Sequence, residues 1–234
     1  MIKGFAGFTT AAFAALGFVT LDLSPLAAQD LKPIFNGKNL EGWIQRGGKA
    51  TYEVTNGVIV GTTVKGEPNS FLCTTKEYGD FVLELELHAD KDLNSGVQIR
   101  SHYFDQKTTF VQDGKTNTIP AGRVHGYQIE VDNRPDRRWS GGLYEEGRRG
   151  WLQNLTNNPA AQAAFKFGEW NTYRIECRGN HIRTWVNDVP AVDARDDGAK
   201  SGFIALQVHN ASQAGWQVRF RNIRLAELSV PAKP

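Results

Sequence analysis

Apolar side chains recur at every second position along most of this chain, and that period limits the fold more than any other feature. Phe81-Val-Leu-Glu-Leu-Glu-Leu-His places Leu83, Leu85 and Leu87 on one side and Glu84, Glu86 and His88 on the other. Val97 and Ile99 are separated in the same way from Gln98 and Arg100. Tyr127, Ile129 and Val131 alternate with Gln128, Glu130 and Asp132, and Ile204, Leu206 and Val208 with Ala205, Gln207 and His209. Shorter runs at 52–54, 58–61, 173–177, 182–186 and 216–228 also read as strands. Asn56-Gly57 and Gly179-Asn180 read as tight hairpin turns, because these residues tolerate positive φ. Many short strands with one helical candidate, 159–165, predict an all-β, two-sheet antiparallel sandwich of jelly-roll type. Residues 101–125 and 133–168 do not alternate. They are polar and carry Tyr103, Phe104, Trp139, Tyr144 and Trp151, so they read as long ordered loops walling a site over one sheet.

The first 28 residues stand apart. A basic start at Lys3, an apolar run through Val19 and small residues at Ala27 and Ala28 have the form of a cleaved secretory leader. An uncleaved anchor is the rival reading. The expectation is a leader over 1–28, a single domain over 29–234, a periplasmic or secreted product and no membrane span in the mature chain. The 27 Lys and Arg nearly balance the 25 Asp and Glu and are interspersed with them, so no nucleic-acid track is expected. Cys73 and Cys177 both fall inside strand-like runs and are read as two free buried thiols.

If the strands that carry them are neighbours, Gln98, Arg100, Gln128, Glu130, Asp132, Gln207 and His209 converge on one polar surface. Gln, His, Arg and Asp gathered opposite strong core positions suit a binding site better than a plain solvated face, although an exposed Arg100–Glu130 or Arg100–Glu86 ladder would give the same pattern. His209 is the sharpest candidate for a base, with Glu130 beside it. Glu130, Asp132 and His209 could together ligate a divalent cation, and no organic cofactor is expected. In the loop from Arg134 to Trp151, the rings of Trp139, Tyr144 and Trp151 offer flat faces for a sugar, the rival reading being that Tyr144 and Trp151 anchor the loop. Arg148 and Arg149 there supply donors. No nucleophile elbow, phosphate loop, dinucleotide fingerprint or paired-cysteine zinc motif occurs.

Eight motifs in order carry a resemblance: Ile34-Phe-Asn-Gly-Lys-Asn-Leu-Glu-Gly-Trp, Tyr78-Gly-Asp-Phe-Val-Leu-Glu-Leu-Glu-Leu, Asn94-Ser-Gly-Val-Gln-Ile-Arg-Ser, Gly126-Tyr-Gln-Ile-Glu-Val-Asp, Ser140-Gly-Gly-Leu-Tyr, Trp170-Asn-Thr-Tyr-Arg-Ile, Ile204-Ala-Leu-Gln-Val-His and Phe220-Arg-Asn-Ile-Arg. Together they resemble the 3-keto-disaccharide hydrolase domain family over nearly all of 29–234. The resemblance implies a concanavalin- or LamG-like jelly roll in an exported bacterial protein. It implies, too, activity on glycosides already oxidised to a ketone at carbon 3, some members resembling lyases or hydratases. One departure is present. Relatives often read Tyr-Glu-x-Gln-x-x-Asp where this chain has Gln128 and Glu130, which leaves the division of labour between those two open. On this reading the catalytic candidates are His209, Glu130 and Arg100. The substrate-binding candidates are Gln98, Gln128, Trp139, Tyr144, Arg148, Trp151 and Gln207. The partner expected is a carbohydrate or glycoside. A non-catalytic carbohydrate-binding domain and an ordinary two-carboxylate glycosidase are the alternatives.

Overall fold

The fold is that of a computed structural model, which describes residue 1 and residues 30–229 except 92, 113 and 133. The expected leader therefore lies outside the described residues, apart from its first. No helix among the described residues is long and apolar enough to cross a membrane.

In chain order the strands are β1 Lys32–Pro33, β2 Trp43–Gly47, β3 Thr51–Thr55, β4 Val58–Thr62, β5 Ser70–Tyr78, β6 Phe81–Ala89, β7 Ser95–Tyr103, β8 Thr108–Gln112, β9 Lys115–Ile119, β10 Val124–Val131, β11 Leu143–Glu146 and β12 Gly150–Gln153. After the helix α1, Pro159–Ala164, come β13 Asn171–Arg178, β14 His181–Val186, β15 Val189–Arg195, β16 Gly202–Val208 and β17 Gln217–Glu227. A back sheet runs β15-β14-β13-β6-β17-β4-β3, with β1 added on β17. A front sheet runs β12-β11-β10-β7-β16-β5-β2. Every pairing is antiparallel, and the two sheets stack face to face as a sandwich.

Alternation builds the core. Leu83, Leu85, Leu87, Ile175 and Phe220 from the back sheet meet Val97, Ile99, Ile129, Val131, Leu206 and Val208 from the front, all essentially buried. Each such side chain contributes about 1.5–3 kcal/mol by leaving water, so a one-residue slip in either sheet would be prohibitive. Asn56 and Gly57, at φ 51° and 77°, close the β3–β4 hairpin as the sequence predicts. Cys73 on the front sheet and Cys177 on the back sheet are free and buried. Burial pushes both thiols up to about 12, which makes them inert.

The two stretches read as loops differ from expectation. Residues 101–125 hold the β8–β9 hairpin, which pairs with neither sheet and so has no reason to alternate. Residues 133–168 hold β11 and β12, which extend the front sheet. There Leu143 and Glu145 are buried while Tyr144 and Glu146 are only part-buried, a pattern that hydrophobicity does not reveal.

Candidate functional site

The outer face of the front sheet carries a directed chain of hydrogen bonds. Ser101 Oγ donates to Gln98 Oε1 (2.8 Å), Gln98 Nε2 to Gln128 Oε1 (2.5 Å), and Gln128 Nε2 to Glu130 Oε2 (2.9 Å). Asn94 Nδ2 donates to the other carboxylate oxygen at 2.6 Å. The register aligns these groups, with Gln98 opposite Gln128 and Glu130 opposite Gly96. Gly96 is what lets the relay form, since a Cβ there would lie 2.4 Å from Cδ of Gln128. From the core side, Tyr173 donates its hydroxyl to the Glu130 carbonyl at 3.1 Å and fixes the backbone.

Glu130 is 5% exposed. Burial pushes its carboxyl up to about 7, and the Asp132 charge adds to the shift; the hydrogen bonds from Asn94 and Gln128 and the Arg137 guanidinium pull the other way. Above Glu130 opens a cleft of about 330 Å³ lined by Asn94, Gln128, Arg134, Arg137, Tyr144, Glu146, Trp151 and His209. Arg137 Nη2 is 3.8 Å from Glu130 Oε1, and its guanidinium lies 5.4 Å from the Trp151 ring centroid. Tyr144 stands edge-on to Trp151 at 5.3 Å, and its phenol is pushed up by burial and by the Glu146 and Glu130 charges. His209 Nδ1 is 2.9 Å from the Asn210 carbonyl. A carbonyl can only accept, so that nitrogen holds the ring proton and Nε2 of the neutral ring keeps its lone pair. The cleft therefore joins a carboxylate poised to titrate near neutrality, a guanidinium and a flat aromatic wall.

Several expected residues go elsewhere. Arg100 does not join the polar face. It sits at φ 45° in a bulge, which resets the alternation of β7 by one residue, and its guanidinium donates to the Gly79 and Gly179 carbonyls and to Asp80. Arg148 pairs with Glu145 at 2.9 Å and stacks on Phe110 at 4.4 Å, away from the cleft lining. Trp139 is part-buried against the core and anchors its loop, with its edge to Trp151 at 4.9 Å. Gln98 lies beneath Gln128 in the relay. The Gln207 amide is buried opposite Phe71 and has no hydrogen-bond partner among the described residues.

The expected cation trio does not fit. Asp132 accepts from the amides of Arg134 and Trp139 and from Arg137 Nε at 2.7 Å, so its carboxylate closes the 132–140 loop. Among the described residues no group of three or more His, Cys, Asp or Glu could hold a metal ion. Sequence reasoning passed over Asn94 as a donor, and Arg137 and Glu146 altogether. The only available signal for Arg137 was its place five residues after Asp132 in a Gly- and Arg-rich turn.

Residues 30–226 match the 3-keto-alpha-glucoside-1,2-lyase-like domain family. No curated protein matches significantly. Among solved structures, a protein from Parabacteroides distasonis assigned provisionally to the glycosyl hydrolases is similar at 18% identity and TM-score 0.53, over 85% of this chain and 94% of that one. A Bacillus subtilis protein of unknown function with a galectin-like fold is similar at 12% identity and TM-score 0.60, over 84% and 94%. The kappa-carrageenase of Pseudoalteromonas carrageenovora, solved with an oligotetrasaccharide of kappa-carrageenan, is similar at 10% identity and TM-score 0.54, over 86% and 97%. At such identities the likeness establishes the jelly-roll sandwich and nothing finer.

Proposed function

The chain belongs to the 3-keto-alpha-glucoside-1,2-lyase-like domain family, and from that premise we propose that it is an exported enzyme that cleaves 3-keto-glycosides by elimination followed by hydration. Membership of that family supports a carbohydrate-related function. The observation that carries the finer reading is Glu130, a carboxylate pushed up to about 7 on the floor of a cleft with an aromatic wall.

A ketone at carbon 3 acidifies the hydrogen on carbon 2. Glu130 removes that proton, and Asn94 and Gln128 keep its carboxylate aimed. Arg137 is the cleft guanidinium available to the enolate oxygen. Collapse of the enolate expels the group on carbon 1, and later addition of water makes the net result hydrolysis. Trp151 and Tyr144 hold the C–H face of the sugar.

The test is to incubate the protein with an α-glucoside and with its 3-keto form and to follow leaving-group release by chromatography. Release from the keto form alone is expected, and Glu130→Gln should lower it by about 100-fold or more with the fold intact. Release from the unoxidised glucoside would indicate an ordinary glycosidase. Binding of either sugar with no release would favour a non-catalytic module.

A further inference from the structure

The cleft over Glu130 continues into a second one. A concavity of about 550 Å³ has Pro68, Phe71 and Val124 on its apolar side and Asn69, Arg123 and Asn210 among its polar groups. Glu146 and His209 line both hollows and so form the ridge between them. Glu146 comes from β11, opposite Gly126 and two residues beyond Tyr144, with a side chain 13% exposed. Its nearest cation is Arg123, at 3.6 Å.

We infer that the second hollow is the leaving-group half of the substrate site, and that Glu146 gives its proton to the departing glycosidic oxygen. This rests on the 3-keto-glycoside reading and adds to it a second catalytic residue and a leaving-group class. A sugar ring whose carbon 2 meets Glu130 fills the first hollow, so the bond from carbon 1 to the leaving oxygen crosses the ridge. The balance is complete. Glu130 takes the proton from carbon 2, the electron pair forms the carbon 1–carbon 2 double bond, the carbon 1–oxygen bond breaks, and the oxygen takes the Glu146 proton. Hydration reverses these roles, with the Glu146 carboxylate drawing a proton from water that attacks carbon 1 and Glu130 returning its own to carbon 2.

Of the two ridge groups, Glu146 is the suited donor. His209 Nδ1 faces the Asn210 carbonyl, so a ring with a single proton holds it there and turns only the Nε2 lone pair toward the ridge. Burial keeps the Glu146 carboxyl protonated more readily than usual and prevails over the opposing pull of the Arg123 guanidinium. The apolar surface of Phe71, Pro68 and Val124 fits a flat ring on the leaving group, and the polar groups around it suit that ring's substituents.

Two substrates separate the roles. A 4-nitrophenolate leaves from its 3-keto-α-glucoside with little help, whereas methoxide needs a proton. Glu146→Gln should lower kcat/KM on the methyl 3-keto-α-glucoside by about 100-fold or more and on the 4-nitrophenyl glycoside by less than about tenfold. Equal losses on both would overturn the acid role of Glu146 while leaving the 3-keto reading in place. No turnover of either by the parent protein would overturn that reading itself. As a measurement independent of the variant's folding, 4-nitrophenol titrated into the parent protein should shift the backbone amide resonances of Gly122, Val124 and Asn210. Shifts confined to other regions, or none at millimolar concentration, would overturn the subsite.

Discussion

On the outer face of the back sheet Glu84 pairs with Arg174 and Arg224, Glu86 with Arg221, Asp90 with Arg219, and Glu176 with both Arg178 and Arg183. On the outer face of the front sheet Glu130 receives two amide hydrogen bonds and meets a guanidinium only at 3.8 Å. Both faces arise from the same two-residue period, yet their carboxylates are tuned in opposite directions. Burial alone would raise Glu86 and Glu176, but contact with Arg221 and Asn222, and with Arg178 and Arg183, holds both below the usual range. Glu130 has only amides at contact distance, and its burial prevails. The back face matches each of these carboxylates, even the buried Glu176, with a guanidinium, whereas the front face leaves Glu130 under-compensated.

The comparison is sharpest in the pH dependence of stability. Because the folded-state value of Glu130 is raised from 4.5 to about 7, its contribution is fully present below about pH 4.5 and is lost as pH rises through about 7. Against Glu130→Gln, the parent should therefore lose about 3 kcal/mol between pH 4 and pH 8. Asp132 and Arg137 face Glu130 in both proteins, as do the cleft groups Glu146, His209 and Arg134. Glu86 should behave oppositely and more weakly, since its folded value is depressed. Its contribution is present above the unfolded value and is lost as pH falls. Denaturant melts of parent, Glu130→Gln and Glu86→Gln across this range check both signs, and parallel slopes for the two variants would abolish the distinction between the faces.

A smaller effect is expected from Gly96→Ala. The backbone at 96 is not among the positive-φ glycines, so alanine meets no backbone penalty there, only Gln128, at 2.4 Å from the new Cβ. The crowding should cost about 1–3 kcal/mol. Pushing Gln128 aside removes one donor from Glu130, so turnover should fall about 10- to 100-fold. The acid limb of the pH–rate profile should also move upward. A variant that is destabilised but keeps the parent profile would show that the relay supports the fold without tuning Glu130.

Period two made most of the sandwich legible, including the outward placement of Gln98, Gln128, Glu130 and Gln207, because a buried core on one side fixes the register. It failed at Arg100, where one residue at φ 45° turns the side chain to the end of the sandwich. That bulge is closely packed, since a Cβ on Gly126 would lie 2.6 Å from Ser101 Oγ and one on Gly202 would lie 2.5 Å from the Arg100 carbonyl carbon. No hydrophobic pattern encodes such a break. Arg137 was hidden for a different reason: its place depends on Asp132 capping the backbone amides of Arg134 and Trp139, a local turn without periodicity. Glu146 was hidden because β11 alternates leucine with buried glutamate, so its inward side does not look apolar.

The smallest effect expected lies on the back sheet, and it tests the premise that this face is only a charge-matched ladder. Glu84 and Arg174 are hydrogen-bonded across β6 and β13, with side chains 21% and 20% exposed. Arg224 Nη2 also lies 3.4 Å from Glu84, so removing Arg174 leaves the carboxylate with a partner. A double-mutant cycle of Glu84→Gln and Arg174→Ala should give a coupling of about 0.2–1 kcal/mol that shrinks in high salt. Turnover should be unchanged in all three variants, since the two-sheet core separates this face from the cleft. A coupling above about 2 kcal/mol would mean that the pair is desolvated like Glu130. Altered turnover would mean that the back face is coupled to the site through the core, and the contrast between the two faces would then be one of degree.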